Sequence, residues 1–289
     1  MKLFDPTISQ VSKIYETLRD NPKFKPNRKY CEKLWQAFAP FADKNFPHEF
    51  ALQTDARFFE MYLANVLLDW GFCLCMRGKM EGPDLKVIDG NKVIWIEAVV
   101  ATSGNGSDAV PTMEEHNRFK PVPEESIILR FTNAINTKRD KYYRYIKKSI
   151  VERNDVCLIA LNGGSIEMEK FVPSPLPTIL KAVYPIGNDV VGIDKNTMKV
   201  VYEHYDVCEK IEKKNGAIVK TTSFMDDKSF NRISGILYTN ANLWENFSDN
   251  MQGLICIHNK MATIPLQHGW IKKGIEYSVK ENQIQIKKY

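Results

Sequence analysis

The stretch GPDLKVIDGNKVIWIEAVV, residues 82–100, constrains the fold more than any other part of the chain. Two apolar runs flank Gly90-Asn91, a pair of residues that favours a tight turn between strands and so predicts a β-hairpin. A two-residue turn at this pair places Asp84 directly opposite Glu97. Residues in such positions have Cβ atoms about 4.5–5.5 Å apart, so we expect the two acids to lie close together.

Side chains alternate between the two faces of a strand, and this register separates them by polarity. One face carries only apolar side chains and is expected in the core: Leu85, Val87, Ile94, Ile96 and Ala98. The opposite face carries both acids, together with Lys86, Trp95 and Val99. A slip of one residue would mix the two sets, so the pattern favours the register given above.

Two carboxylates that face each other repel, unless one is protonated or a cation lies between them. A divalent cation that prefers oxygen ligands, such as Mg²⁺, meets that requirement. The alternative is a pair of solvated acids at the edge of a sheet, and the hairpin alone leaves both interpretations open.

A third acid lies on the apolar face of a predicted helix. The run ARFFEMYLANVLLDWGF predicts a helix over about residues 56–70 that ends at Gly71. At helical spacing Glu60 lies among Phe59, Leu63 and other apolar side chains. Because burying a charge is costly unless it is paired, this position indicates a partner or a ligand for Glu60.

A second helix is predicted to begin at Glu124-Glu125 and to continue through ESIILRFTNAINTKRDKYYRYIKKSI. Lys138 lies within its apolar stripe, and Lys141 and Arg130 lie at the margin of that stripe. The alternative for Lys138 is a lysine whose methylene chain covers apolar surface while its ammonium group stays in water. Otherwise Lys138 forms one constellation with the three acids, which suits metal-assisted attack of water on a phosphodiester.

Three other features give weak evidence for a nucleic-acid partner. The segment NTKRDKYYRYIKK mixes basic and aromatic residues, as surfaces that bind nucleic acid do, but it also fits the solvated face of a helix. The net charge of +5 permits a polyanionic partner without requiring one. His116 lies in a long Gly-, Ser- and Pro-rich segment and is either a substrate contact or a solvated side chain.

These residues resemble the PD-(D/E)XK nuclease superfamily, which has the restriction-endonuclease-like fold. Gly82-Pro83-Asp84 matches the Pro-Asp of its motif, and IEAVV matches the strand that carries its second acid, Glu97. The resemblance implies that Asp84 and Glu97 bind metal and that Glu60 is the helical acid found in many members. The motif lysine is replaced by Val99, and in some members it has moved to the following helix, which makes Lys138 the first candidate and Lys141 the second.

The predicted fold class is therefore α/β, with a mixed central sheet flanked by helices. The order helix, three strands, helix, strand over residues 56–162 resembles the αβββαβ core of that superfamily. We expect a helical lead over residues 1–55, a nuclease-like core over 56–165 and a strand-rich extension over 166–289 that packs on the core.

The predicted function is Mg²⁺-dependent hydrolysis of phosphodiester bonds in nucleic acid, and DNA is the expected substrate. Mn²⁺ is expected to substitute for Mg²⁺. The resemblance also suggests a homodimer. Asp84, Glu97 and Glu60 would hold the metal, Lys138 would act on water or phosphate, and Lys141, Arg130 and His116 would contact nucleic acid. The alternatives are an inactive relative that binds nucleic acid or a protein, an unrelated α/β enzyme, and an interaction module.

Composition fits a cytoplasmic protein without a membrane partner. No run of about 18 apolar residues predicts a membrane span, and the first residues lack the pattern of a secretory signal. The six cysteines lie mostly in apolar runs, which predicts reduced thiols. Cys73 and Cys75 have no second pair at a suitable spacing, so the cysteine pattern predicts no structural zinc site.

Overall fold

The computed structural model describes residues 2–76, 81–115, 121–244, 253–281 and 283–289. The chain opens with helices: α1 (Lys13–Asp20), a 3₁₀ turn (Pro22–Phe24), α2 (Lys25–Phe38), α3 (Phe46–Leu52) and α4 (Thr54–Asp69). The Ser12 side chain caps α1 by accepting a hydrogen bond from the Tyr15 backbone N–H. Gly71 follows α4 with a φ of +81°, a conformation that favours glycine after the end of a helix.

The next elements are β1 (Cys73–Leu74), β2 (Leu85–Asp89), β3 (Lys92–Val100), α5 (Glu124–Lys147) and β4 (Val156–Asn162). From α4 onward the order is therefore helix, three strands, helix, strand, as the sequence predicts. Gly90 adopts a φ of +61° in the turn between β2 and β3, which glycine allows at no steric cost.

The rest of the chain is rich in strands, as expected. A 3₁₀ turn (Glu167–Phe171) and the short α6 (Thr178–Lys181) precede two antiparallel ribbons, formed by β5 (Ile186–Ile193) with β6 (Val200–Val207) and by β7 (Lys210–Glu212) with β8 (Ile218–Lys220). After a further 3₁₀ turn (Lys228–Phe230) come β9 (Gly235–Thr239), β10 (Leu254–His258), β11 (Gly274–Lys280) and β12 (Gln283–Lys288).

A mixed sheet forms the centre of the molecule, and in the described ranges it has eight strands in the order β1-β2-β3-β4-β9-β10-β11-β12. The pairs β3–β4, β4–β9 and β10–β11 are parallel, and the other neighbouring pairs are antiparallel. The strands β9 to β12 thus continue the sheet that β1 to β4 begin. The residues expected to form an extension therefore add four strands to the sheet of the expected core.

Helices cover both faces of this sheet. The helices α1 to α4 pack on the face that carries Leu85, Val87, Ile94 and Ile96, which is the predicted apolar set. The other face carries Trp95 and packs against α5 and α6. The face of the hairpin that holds the acids is therefore covered by a helix and does not face open solvent.

Tyr142 joins α5 to the two central parallel strands. Its buried hydroxyl lies 2.9 Å from the Trp95 carbonyl oxygen on β3 and 2.7 Å from the Leu158 carbonyl oxygen on β4, and its one proton is shared between them. Since these carbonyls are buried, water cannot replace the hydroxyl without opening the interface.

We predict that Tyr142→Phe lowers the free energy of unfolding by about 1 kcal/mol, because both carbonyls lose a buried donor. The neighbouring Tyr143→Phe is the matched control, since its exposed hydroxyl donates to the Ser229 carbonyl and water can take its place. We expect the control to change the free energy by less than about 0.5 kcal/mol. Urea denaturation of both variants measures the difference, and equal effects would contradict this role for Tyr142.

Candidate active site

The hairpin brings Asp84 and Glu97 together in the predicted register. Leu85 pairs with Ile96 and Lys86 with Trp95, so the next position outward sets Asp84 against Glu97. The Asp84 carboxylate accepts a hydrogen bond of 2.7 Å from the Ala98 backbone N–H, one residue beyond Glu97. This bond holds the half-buried Asp84 side chain against β3 at the start of β2.

Glu97 is the most deeply buried acid of this group, with none of its side chain exposed. Its Oε1 accepts two hydrogen bonds of 2.7 Å, one from the Lys138 ammonium group and one from the Lys141 ammonium group. Its Oε2 is buried and has no hydrogen-bond partner among the described residues. One oxygen is thus paired with two cations, while the other offers an unused acceptor, which is costly in a buried position.

Both lysines reach Glu97 from one face of α5, where residues three apart are neighbours. Lys138 is buried, as expected for a residue in the apolar stripe, and its ammonium group donates a hydrogen bond to the acid. Lys141 keeps 36% of its side chain exposed. Burial lowers the pKa of Lys141, but the hydrogen bond and charge of Glu97 outweigh it, so the pKa lies above its ordinary value. Both predicted replacements for the missing motif lysine therefore lie on the same carboxylate.

Glu60 has a different partner. It is buried on α4, and its Oε2 accepts a hydrogen bond of 2.6 Å from Arg57, one helical turn earlier. Arg57 also forms an ion pair with Glu49. Burial lowers the pKa of Arg57, but the charges of Glu60, Glu49 and Asp84 raise it by more, so the pKa lies above its ordinary value. The arginine therefore lies within electrostatic reach of both Glu60 and Asp84.

Arg57 was not among the predicted site residues. Its position three residues before Glu60 was the available signal, because an acid and a base at that spacing on a helix commonly pair. Among the described residues, the carboxylates of Glu60, Asp84 and Glu97 do not form a group whose ligand atoms all lie within 4.8 Å of one another. Asp84 and Glu97 lie opposite each other across the hairpin, whereas Glu60 is held beside Arg57 on α4.

Arg130 and His116 were also predicted to contact nucleic acid. Arg130 donates from Nε to the Thr102 carbonyl oxygen at 2.8 Å, and its guanidinium lies so close to Gly104 that a Cβ there would approach it to 2.5 Å. Arg130 therefore fixes the segment that follows β3. His116 lies outside the described residues.

Comparisons of the chain with protein-family models, with curated proteins and with solved structures found no match. In the described part of the chain, no helix combines the length and the apolar character needed to cross a membrane.

The residues present fit a divalent cation with hard oxygen ligands. Asp84 and Glu97 supply carboxylates from neighbouring strands, and the buried Glu97 Oε2 is an acceptor without a partner among the described residues. Carboxylate oxygens are the protein ligands that Mg²⁺ and Mn²⁺ prefer. Asp84 and Glu97 are therefore the side chains that would hold such an ion.

We predict that the two lysines stabilise Glu97 in a strongly non-additive way. Lys138→Met or Lys141→Met alone should lower the free energy of unfolding by about 1 kcal/mol, because the other lysine keeps the acid paired. The double variant should lose about 3–5 kcal/mol, because it leaves a buried carboxylate without a cation.

Urea denaturation in EDTA measures these changes, so that no added metal compensates the charge. Adding Glu97→Gln to the double variant should recover part of the loss, since it removes the buried charge. Lys147→Met, on the exposed part of the same helix, controls for the loss of a lysine from α5. If the double variant equals the sum of the single variants within about 0.5 kcal/mol, the lysines do not share Glu97 in solution.

Proposed function

We propose that this protein hydrolyses phosphodiester bonds in nucleic acid, with DNA as the substrate and Mg²⁺ as the resident ion. The observation that carries the proposal is the state of Glu97, a buried carboxylate with one oxygen on two lysines and the other without a partner among the described residues. Asp84 directly precedes β2, and the register of that strand sets it opposite Glu97. Acids and lysines in this arrangement suit the attack of water on a phosphate.

The hydrolysis adds water across a P–O bond, so that the hydroxyl joins phosphorus and the departing oxygen receives a proton. A bound Mg²⁺ would supply Lewis-acid stabilisation of a phosphate oxygen and lower the pKa of a water molecule that it holds. Glu97, through Oε2, can accept a hydrogen bond from the attacking water and orient it. Asp84 has one carboxylate oxygen on the Ala98 backbone, which fixes the direction of the other.

The two lysines have different parts in this proposal. Because the pKa of Lys141 lies above its ordinary value, the side chain stays cationic at neutral pH and cannot serve as a general base. Its partial exposure lets it meet a substrate phosphate and offset the charge that develops there. Lys138 is more deeply buried and holds the Glu97 carboxylate in position.

The proposed substrate class is supported by the charges on α5. Lys141, Arg144 and Lys148 recur at helical spacing and form a basic stripe that begins at the site and continues toward the end of the helix. A row of cations at this spacing can follow the phosphates of a nucleic-acid backbone. Lys148 also pairs with the exposed Glu81, an ion pair that solvent screens and that phosphate can replace.

The alternative is a nuclease-like protein that binds nucleic acid or a protein without cutting. Val99 at the usual position of the motif lysine favours it, and so does the pairing of Glu97 with two cations, which competes with a metal for the same carboxylate. Metal-dependent binding of nucleic acid without cleavage would support this alternative.

We predict metal-dependent cleavage that requires both acids. Plasmid, linear and single-stranded DNA and RNA would be incubated with Mg²⁺, Mn²⁺ or EDTA. Asp84→Asn, Glu97→Gln and Lys138→Ala should each lower the rate by about 100-fold or more, because the two acids would hold the metal and Lys138 holds the Glu97 carboxylate in position. Lys141→Ala should also lower the rate.

Matched controls separate these effects from loss of a charge in general. Asp89→Asn removes an acid at the other end of β2, and Lys147→Ala removes a lysine at the far end of α5. Both controls should cut at close to the wild-type rate. Cleavage that persists in the Asp84 and Glu97 variants would come from a contaminant and would remove these residues from the proposed site.

A further inference from the structure

A second group of ligand-type side chains lies on β10 and β11. Cys256 and Glu276 are direct partners in the parallel pairing of these strands, and His258 lies two residues beyond Cys256 on the same side of β10. All three side chains are buried. Among the described residues, they are the one group of three Cys, His, Asp or Glu side chains whose ligand atoms all lie within 4.8 Å of one another.

The distances in this group match a tetrahedral metal site. The Cys256 Sγ lies 3.9 Å from His258 Nε2, which in turn lies 3.4 Å from Glu276 Oε2. Zinc bonds of about 2.0–2.3 Å at tetrahedral angles set neighbouring ligand atoms about 3.4–3.6 Å apart. The sulfur and the carboxylate lie within 4.8 Å of each other, so all three atoms could bind one ion after the sulfur moves inward.

Surrounding groups orient these three side chains. His258 makes a hydrogen bond with the Leu266 backbone, and because its Nε2 faces the thiol and the carboxylate, Nδ1 is left for that bond. Glu276 accepts hydrogen bonds from the Gly269 backbone N–H on both oxygens and from the Tyr289 hydroxyl on Oε2. Hydrogen bonds from outside the ligand set fix ring tautomers and carboxylate directions in metal sites in this way.

A fourth ligand can come from the connection between β10 and β11, where His268 lies beside the group but not within 4.8 Å of all three ligand atoms, so its exposed side chain would turn toward the ion. The His268 Nδ1 lies 3.5 Å from Glu276 Oε2, and its ring lies 4.1 Å from the His258 ring, centroid to centroid. Two imidazolium groups at this separation would repel, whereas two neutral imidazoles can bind the same cation. The His268 side chain is 62% exposed, and both histidines line a surface groove of about 740 Å³ through which an ion can reach the site.

We infer that Cys256, His258, Glu276 and His268 form a binding site for Zn²⁺. The set of sulfur, nitrogen and oxygen donors suits zinc, whereas Mg²⁺ takes oxygen ligands. Because His268 lies in the connection over residues 259–273, the bound ion would hold that connection against the sheet. The site is separate from the candidate active site, because β10 lies three strands from β3, roughly 14 Å away, and Cys256 faces the helical layer opposite to α5.

The experiment measures zinc in the full chain, purified without a histidine tag, and then replaces the zinc with Co²⁺. We expect one equivalent of zinc for each chain. The cobalt form should show a thiolate-to-cobalt charge-transfer band and the intense visible bands of tetrahedral Co²⁺. If the wild-type chain binds neither ion, the cluster is held by hydrogen bonds alone and the inference is overturned.

Variants locate the ion. Cys256→Ser should abolish the charge-transfer band, and Cys31→Ser, which changes another buried thiol on α2, should retain it. His268→Gln alters an exposed side chain, so it tests the site without disturbing the core, and it should weaken Co²⁺ binding by about 10-fold or more. Asp84→Asn should leave the cobalt spectrum unchanged, which separates this site from the candidate active site.

If Cys256→Ser does not fold, the wild-type spectrum and His268→Gln still decide the matter. A charge-transfer band that persists in Cys256→Ser, or that is lost in Cys31→Ser, would overturn the assignment of the sulfur ligand. An unchanged affinity in His268→Gln would overturn the four-ligand site.

Discussion

The buried charge of Glu97 is the constraint on which the centre of the molecule depends. A carboxylate that is fully covered must be paired, and the pairing here comes from α5. Lys138 and Lys141 can both reach Glu97 only if that face of α5 lies over β3. Tyr142, the next residue, then meets the carbonyl oxygens of β3 and β4. Electrostatic pairing and backbone hydrogen bonding thus fix the same stretch of helix on the same two strands.

Local patterns predicted the parts of this arrangement that depend on periodicity. The alternation of apolar and polar residues in the hairpin gave the pairing of β2 with β3, because a slip of one residue would have moved its apolar set into the wrong layer. Helical spacing marked Lys138 as a lysine on an apolar face. What the pattern could not give was its partner, since the contact with Glu97 joins residues 41 positions apart.

The order of the strands was harder to predict. The element sequence from α4 to β4 follows the local signals, but nothing local says that β9 lies beside β4, because that pairing closes over more than 70 residues of chain. Glu60 shows a related limit. Its burial was visible in the sequence, but a buried acid can be satisfied by a metal or by an arginine, and the pattern alone did not show that Arg57 donates a hydrogen bond to its carboxylate.

Sequence motifs for zinc sites do not detect the Cys256 cluster, for a physical reason. Such motifs detect ligands that lie close together on a loop or a helix, whereas here a strand supplies two ligands at alternate positions and the next strand supplies the third through its register. The same alternation places the two sets of side chains on opposite faces, with the carboxylates of Asp84 and Glu97 toward α5 and the Cys256 group, which adds sulfur and nitrogen to one carboxylate, toward the N-terminal helices. Because thiolate and imidazole bind zinc more strongly than carboxylates do, the Cys256 group would take up zinc first. In the two proposals together, Asp84 and Glu97 would remain for Mg²⁺, and the two faces of one sheet would bind different cations because their donor atoms differ.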